Sequence, residues 1–222
     1  MKLIHCADIH LDSPMQTHMT AQQASVRNTE MLQSFVRLTE FAQERAVRAI
    51  LIAGDLFDGA RVRARTVDAL LAAIRRTPEV DYLYLPGNHD EAANAFCDCA
   101  LPENLKVFGK KWTTYRYDGI VISGAQLGLD AAFYEALPHT DGAVNLVMLH
   151  GGIGTACGED MINLNLLKNR GIDYLALGHI HSYQTGPLDE TGSYCYPGCL
   201  EGRGFDECGE KGFVLLTVGL SM

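Results

Sequence analysis

Five short segments set carboxylate, imidazole and carboxamide side chains at spacings that suit metal ligation: DIH (Asp8, His10), GDLFD (Asp55, Asp58), GNHD (Asn88, His89, Asp90), LHGG (His150) and GHIH (His179, His181). Each alone has an ordinary structural explanation. Asp caps helices, Asn-His-Asp suits a tight turn, and a histidine ending an apolar strand is commonly a hydrogen-bonded core residue. Five such segments in one chain point jointly to a metal site.

The donors define its chemistry. Carboxylate and imidazole without thiolate suit first-row divalent ions such as Mn, Fe or Zn, and they exclude a structural zinc site of the cysteine type. Asp8, His10, Asp55, Asn88, His150, His179 and His181 are too many ligands for one ion. If one Asp bridges, two ions receive four protein ligands each. Two carboxylates offset half the charge of two divalent cations, leaving about +2, or about +1 with hydroxide, as an anionic phosphate requires. Two ions about 3.5 to 4 Å apart deprotonate a shared water near neutral pH and clamp both oxygens of an in-line displacement. Phosphoester hydrolysis is the expected reaction. His89 adjoins Asn88 but lies outside the ligand set, so it is expected to be catalytic, stabilising the transition state or protonating the leaving oxygen.

The elements that must position these residues are apolar runs. Strands are expected at 2–7, 49–54, 80–86, 119–124, 144–150, 173–178 and 212–218, several of them continuously apolar, as strands covered on both faces are. Met31, Phe35, Leu38 and Ala42 recur at helical spacing in a helix expected from Ala24 to Arg48. Strand and helix alternate, which predicts right-handed β-α-β units in a layered α/β sandwich. All five polar segments follow strands, and the crevice beyond the carboxyl ends of such strands is where ligands collect. Gly178, between the LAL run and His179, is expected to let the backbone turn into that crevice.

Composition bounds the rest. The 222 residues, 47% of them hydrophobic, suit one large domain over 1–222. No apolar run approaches the roughly 18 residues of a membrane span, and seven cysteines without a CxxC pair suit reduced thiols, so a cytoplasmic protein with no membrane partner is expected. A net charge of −9 gives no global attraction for nucleic acid, so any DNA contact must be local.

In this order, DIH, GDLFD, GNHD, LHGG and GHIH resemble the motif series of the calcineurin-like metallophosphoesterase superfamily, over Asp8 to His181. The resemblance implies a four-layer α-β-β-α sandwich of two mixed sheets flanked by helices. It also implies that Asp8, His10, Asp55 and His181 hold one ion while Asp55, Asn88, His150 and His179 hold the other, with Asp55 as bridge. HCADIHLDSP at the start and YPGCLEGRGFDECGEKGF (196–213) near the end resemble the SbcD-type DNA repair exonuclease branch, which implies manganese-dependent cleavage of DNA phosphodiesters and an SMC-like ATPase partner. Two departures stand out. The capping domain of longer relatives is not expected here, and Asp58 stands where some members carry a histidine.

Arg61, Arg63 and Arg203 are candidates for phosphate contact, which would be salt-sensitive and independent of sequence. An exposed, charged start to the helix running to Arg76 explains Arg61 and Arg63 equally well. Two further functions stay open on the sequence: a phosphatase or phosphodiesterase for small molecules such as nucleotides, and a non-catalytic scaffold. The intact ligand set argues against the scaffold.

Overall fold

The apolar runs fold into two mixed sheets stacked face to face, in a computed structural model that describes residues 1–15, 19–59, 62–90, 96, 99–128, 130–158, 160–204 and 207–219. The first sheet has the order β13-β1-β2-β3-β4, comprising β13 (Val214–Thr217), β1 (Lys2–Cys6), β2 (Ala49–Ala53), β3 (Asp81–Leu85) and β4 (Leu105–Val107). The second has the order β11-β12-β10-β7-β6-β5, comprising β11 (Gln184–Pro187), β12 (Ser193–Tyr196), β10 (Tyr174–Gly178), β7 (Val144–His150), β6 (Ile120–Gly124) and β5 (Thr113–Tyr117). Central pairings are parallel, and β13, β11 and β5 join antiparallel at the edges. β8 (Gly152–Gly154) and β9 (Met161–Asn163) form a separate parallel pair.

Continuous hydrophobicity in β2 follows from burial on both faces. Ile50 and Ile52 face a cluster with Met31, Phe35, Leu38 and Ala42 of α1 (Ala21–Glu44) and Val67, Leu70 and Ile74 of α2 (Ala64–Arg75). Ala49, Leu51 and Ala53 point the other way, against Ile122, Leu146, Met148 and Ala176 of the second sheet. Leu149, Leu175 and Leu177 line that sheet's outer face beneath Tyr134, Ile162 and Leu167. This fourth layer is thinner than expected: its described helices are α3 (Ala131–Glu135) and a 3-10 turn at Leu164–Leu166, and loops supply the rest of the cover.

α1 begins earlier than the apolar stripe implied, because Thr20 and Gln23 form a reciprocal capping box there. It ends at Glu44, where Ala46 turns left-handed at φ 50.

Two buried features hold the sheets in register. His5 places Nε2 3.2 Å from the Leu177 carbonyl and Nδ1 2.9 Å from the Tyr174 hydroxyl. A carbonyl only accepts, so Nε2 carries the proton and the hydroxyl donates to Nδ1. The ring is therefore neutral, and burial, against the Leu177 hydrogen bond, pushes its pKa down to about 3. Gly178 is not the turn expected of it but the last residue of β10. A β-carbon there would lie 1.8 Å from the Ala53 carbonyl oxygen, so its bare backbone lets β10 approach β2.

Candidate metal centre

β1, β2 and β3 are parallel neighbours in one sheet and β7 and β10 in the other, and the polar segments follow their C-terminal ends. The backbone there is strained. Asp8, His10, Asp55 and His179 take φ values of 51, 48, 50 and 108, each costing on the order of 1–3 kcal/mol for a non-glycine residue. Hydrogen bonds enforce it: Asp8 N–H donates to the Gly54 carbonyl at 3.1 Å and His10 N–H to the Asp55 carbonyl at 2.9 Å. Asp90 clamps the next two loops, accepting from the N–H groups of Leu56 (3.1 Å), Phe57 (2.8 Å) and Gly87 (3.0 Å). Burial raises its carboxyl to about 6 against those bonds. The last residue of GNHD is thus a scaffold for the site.

The donors converge in two groups. Ligating atoms of Asp8, His10 and His181 lie within 4.8 Å of one another, as do those of Asp8, Asp55 and His150. Asn88 Oδ1 is 2.9 Å from His150 Nε2, and the His179 ring stands 5.5 Å from that of His150. All seven expected ligands therefore meet in one crevice. It opens into a cavity of about 400 Å³ lined by Gly87, Asn88, Gln126, Leu127, His150 and Asp160.

The hydrogen-bond inventory fits a pair of cations. His150 Nδ1 donates to the Ala53 carbonyl at 2.9 Å, so in the neutral ring Nε2 is a lone pair. That lone pair faces two further acceptors, Asn88 Oδ1 and, at 3.3 Å, Asp55 Oδ2. Only a proton or a cation satisfies three acceptors meeting at one point. Without an ion the proton takes that place: burial opposes charge on His150, but the Asp55 carboxylate outweighs it and holds the pKa up at about 9. The same exchange, against burial, takes Asp55 down to about 2, whereas Asp8 is pushed up by burial to about 6, with the His150 and His181 charges pulling against that rise. On the other side, His10 Nε2 and His181 Nε2 stand 3.2 Å apart, and His10 Nδ1 is buried without a hydrogen-bond partner among the described residues. Two imidazole nitrogens aimed at each other beside Asp8 again mark a place for a cation.

His89 stands at the rim, its side chain half-exposed, with Nδ1 3.2 Å from Asp58 Oδ1. Asp58 also accepts from Ser13 Oγ at 2.7 Å and from Arg203 Nη1 at 3.1 Å. Arg203, expected near a phosphate, has its charge engaged by Asp58 and, through Nη2 at 2.9 Å, by Glu207 Oε1. Arg63 is held by Asp12, which accepts from its backbone N–H at 2.6 Å and from Nε at 2.7 Å. Arg61 lies outside the described residues. Ser13 and Glu207 went unnoticed in the sequence. Their type gave no signal, although Glu207 sits in the 196–213 tail already singled out.

The sequence model of the calcineurin-like phosphoesterase family matches residues 1–183. The chain belongs to the calcineurin-like phosphoesterase family. It is 29% identical over 238 residues to the uncharacterized metallophosphoesterase YhaO of Bacillus subtilis (strain 168), covering 98% of this chain and 57% of that protein. It is 26% identical over 251 residues to the DNA double-strand break repair protein Mre11 of Methanopyrus kandleri, covering 97% and 54%. The chain thus spans a little over half the length of these relatives. The crystal structure of a dimetal phosphatase from Danio rerio shares the fold, with a TM-score of 0.61 at 10% identity and coverage of 97% of this chain and 91% of that one. Calcineurin-like phosphoesterases are metal-dependent hydrolases that work with two ions, and the donor set here suits that chemistry. Among the described residues no helix is long and apolar enough to cross a membrane.

Proposed function

We propose that the chain hydrolyses phosphodiester bonds of DNA with manganese as its metal. In this reading Asp8, His10 and His181 hold one ion, Asn88, His150 and His179 hold the other, and Asp55 is shared. Asp55 carries the reading. Its Oδ2 lies 3.7 Å from His10 Nε2 and 3.3 Å from His150 Nε2, so a single buried carboxylate reaches both donor groups.

When bound, the two ions would supply a water of lowered pKa and neutralise charge on the phosphoryl oxygens. The protein's own part is orientation and proton handling. The Asp8 carboxylate is fixed by the His179 N–H, which donates to its two oxygens at 3.0 Å each. Asp55 is fixed by the His89 N–H at 2.9 Å. With Nδ1–H of His89 donating to Asp58, its Nε2 is the nitrogen left to meet a substrate oxygen; in the doubly protonated ring Nε2–H can pass its proton to the leaving alkoxide, which leaves the ring neutral with Nδ1–H still on Asp58.

Charge favours a diester over a monoester. Arg63 and Arg203 are each engaged by carboxylates, so neither is available for the second negative charge that a monoester brings. DNA is supported by the repair-protein name of the Mre11 relatives and by the likeness of the tail at 196–213 to the SbcD-type branch. With a net charge of −9, its phosphate contacts would be few and salt-sensitive.

The test is the purified chain with Mn on bis-p-nitrophenyl phosphate, p-nitrophenyl phosphate and single- and double-stranded DNA. Cleavage of DNA and of the small diester, with the monoester much slower, is expected. Faster cleavage of the monoester would overturn the diester reading. Cleavage of the small diester with intact DNA would remove DNA as the substrate of this chain.

A further inference from the structure

The tail after β12 lies beyond the residues that the family model matches, yet it closes on the site, with several contacts to His181. The His181 backbone carbonyl accepts from Cys199 N–H at 3.4 Å and from Lys211 Nζ at 3.1 Å. Its ring Nδ1 meets Glu207 Oε1 at 2.6 Å. The Glu207 side chain is only 7% exposed and is held in turn by Arg203, whose backbone N–H donates to Oε2 at 2.7 Å and whose Nε and Nη2 donate to Oε1 at 3.1 and 2.9 Å.

These contacts fix a tautomer. Arg203 Nη2 also lies 3.2 Å from His181 Nδ1, but a guanidinium only donates and a carboxylate only accepts, so the two cannot both hydrogen-bond that nitrogen in one protonation state. The shorter contact decides. Nδ1 carries a proton that it donates to Glu207, and Arg203 is near because it binds the same oxygen. In the neutral ring Nε2 is then a bare lone pair, set 3.2 Å from His10 Nε2 and 3.9 Å from Asp8 Oδ1.

We propose that Glu207, steadied by Arg203, is a positioning residue of the metal centre: it fixes the tautomer and direction of His181 so that Nε2 faces the ion shared with Asp8 and His10. The proposal rests on the two-ion reading above. It assigns the tail a function that the family-matched portion does not contain, because the carboxylate that orients one ligand arrives from outside it. Through Arg203 and Asp58 the same network reaches His89, so one side of the centre and the catalytic histidine share a support.

The experiment compares wild type, Glu207→Ala and Glu207→Gln, first stripped of metal and then titrated with Mn by calorimetry. Glu207→Ala should weaken one of two ions by about 10- to 100-fold and leave the other unchanged, as removal of an outer carboxylate on a ligating histidine does. Glu207→Gln, which can still accept from Nδ1–H, should recover much of that loss. Nitrogen-15 spectra of the metal-free proteins give a second readout that needs no ion: His181 should be the Nδ1–H tautomer in wild type and a mixture in Glu207→Ala. Wild-type affinity for both ions, or an unchanged tautomer, in Glu207→Ala would overturn the proposal. So would an equal weakening of both ions that tracks a fall in the metal-free melting temperature. A wild type that binds fewer than two ions would instead overturn the two-ion reading, and the tautomer would still decide the role of Glu207.

Discussion

Gly87→Ala perturbs the centre without replacing any proposed ligand, and its effect can be worked from geometry. A β-carbon at Gly87 would lie 2.2 Å from Asp55 Oδ1, 2.7 Å from the Asp55 nitrogen and 2.8 Å from His150 Nε2. Ordinary contact begins near 3.4 Å, so the Asp55 oxygen must retreat by 3.4 − 2.2 = 1.2 Å or the 86–88 loop must lift by as much. Neither move is cheap. Asp55 is buried and bonded to the His89 N–H at 2.9 Å, and the loop is clamped by the Gly87 N–H to Asp90 at 3.0 Å. Overpacking of this kind costs about 1–3 kcal/mol, which a domain of this size survives. Misplacement by about 1 Å at a reacting centre costs about 10²-fold in rate. Gly87→Ala should therefore fold, melt a few degrees lower, and lose about 10²-fold or more in kcat/KM on bis-p-nitrophenyl phosphate with Mn. A folded Gly87→Ala protein with wild-type kcat/KM and metal content would refute the claim that Asp55 and His150 face each other at this loop.

Other expectations separate chemistry from support. His89→Ala should lower kcat by about 10²- to 10⁴-fold while elemental analysis still finds wild-type metal content, as loss of a proton donor outside the ligand set requires. His5→Leu removes the ring that bonds the Tyr174 hydroxyl and the Leu177 carbonyl, and urea denaturation at pH 7 should show a loss of roughly 1–3 kcal/mol. The His5 pKa is depressed in the fold, to about 3 from 6.5. Its stabilisation is thus present above 6.5 and is lost as the pH falls toward 3, because the unfolded chain takes up the proton first. At pH 5, which is 1.5 units below 6.5, that loss is about 2 kcal/mol, and His5→Leu should lack this component of the fall between pH 7 and pH 5.

Much of the centre was legible because its residues interrupt apolar runs. LHGG and GHIH put His150 and His179 at the ends of strands that are buried after their first residue, and Asp8 and Asp55 follow β1 and β2 after one intervening residue. The α1 stripe through Met31, Phe35, Leu38 and Ala42 marked a helix, but its start lay in the capping pair Thr20 and Gln23, outside the apolar period. Short strands such as β4 (LKV) and β8 (GIG) have too few residues for alternation to show. The left-handed backbone at Asp8, His10 and Asp55 is one that Asp and His tolerate better than most residues, but type alone did not locate it, because neighbouring loops impose it. Glu207 was invisible for a different reason: its role exists only with His181, 26 residues away, and no local pattern records that meeting. Arg203 could be read as a phosphate contact only until Asp58, 145 residues away, was seen to hold it.

The central claim is that one crevice holds two ions with Asp55 between them. Crystals grown with manganese and measured by anomalous diffraction test it directly. The account predicts two peaks about 3.5 to 4 Å apart, one among Asp8, His10 and His181, the other among Asn88, His150 and His179, with Asp55 touching both. A single peak, or two peaks that Asp55 does not bridge, would contradict it.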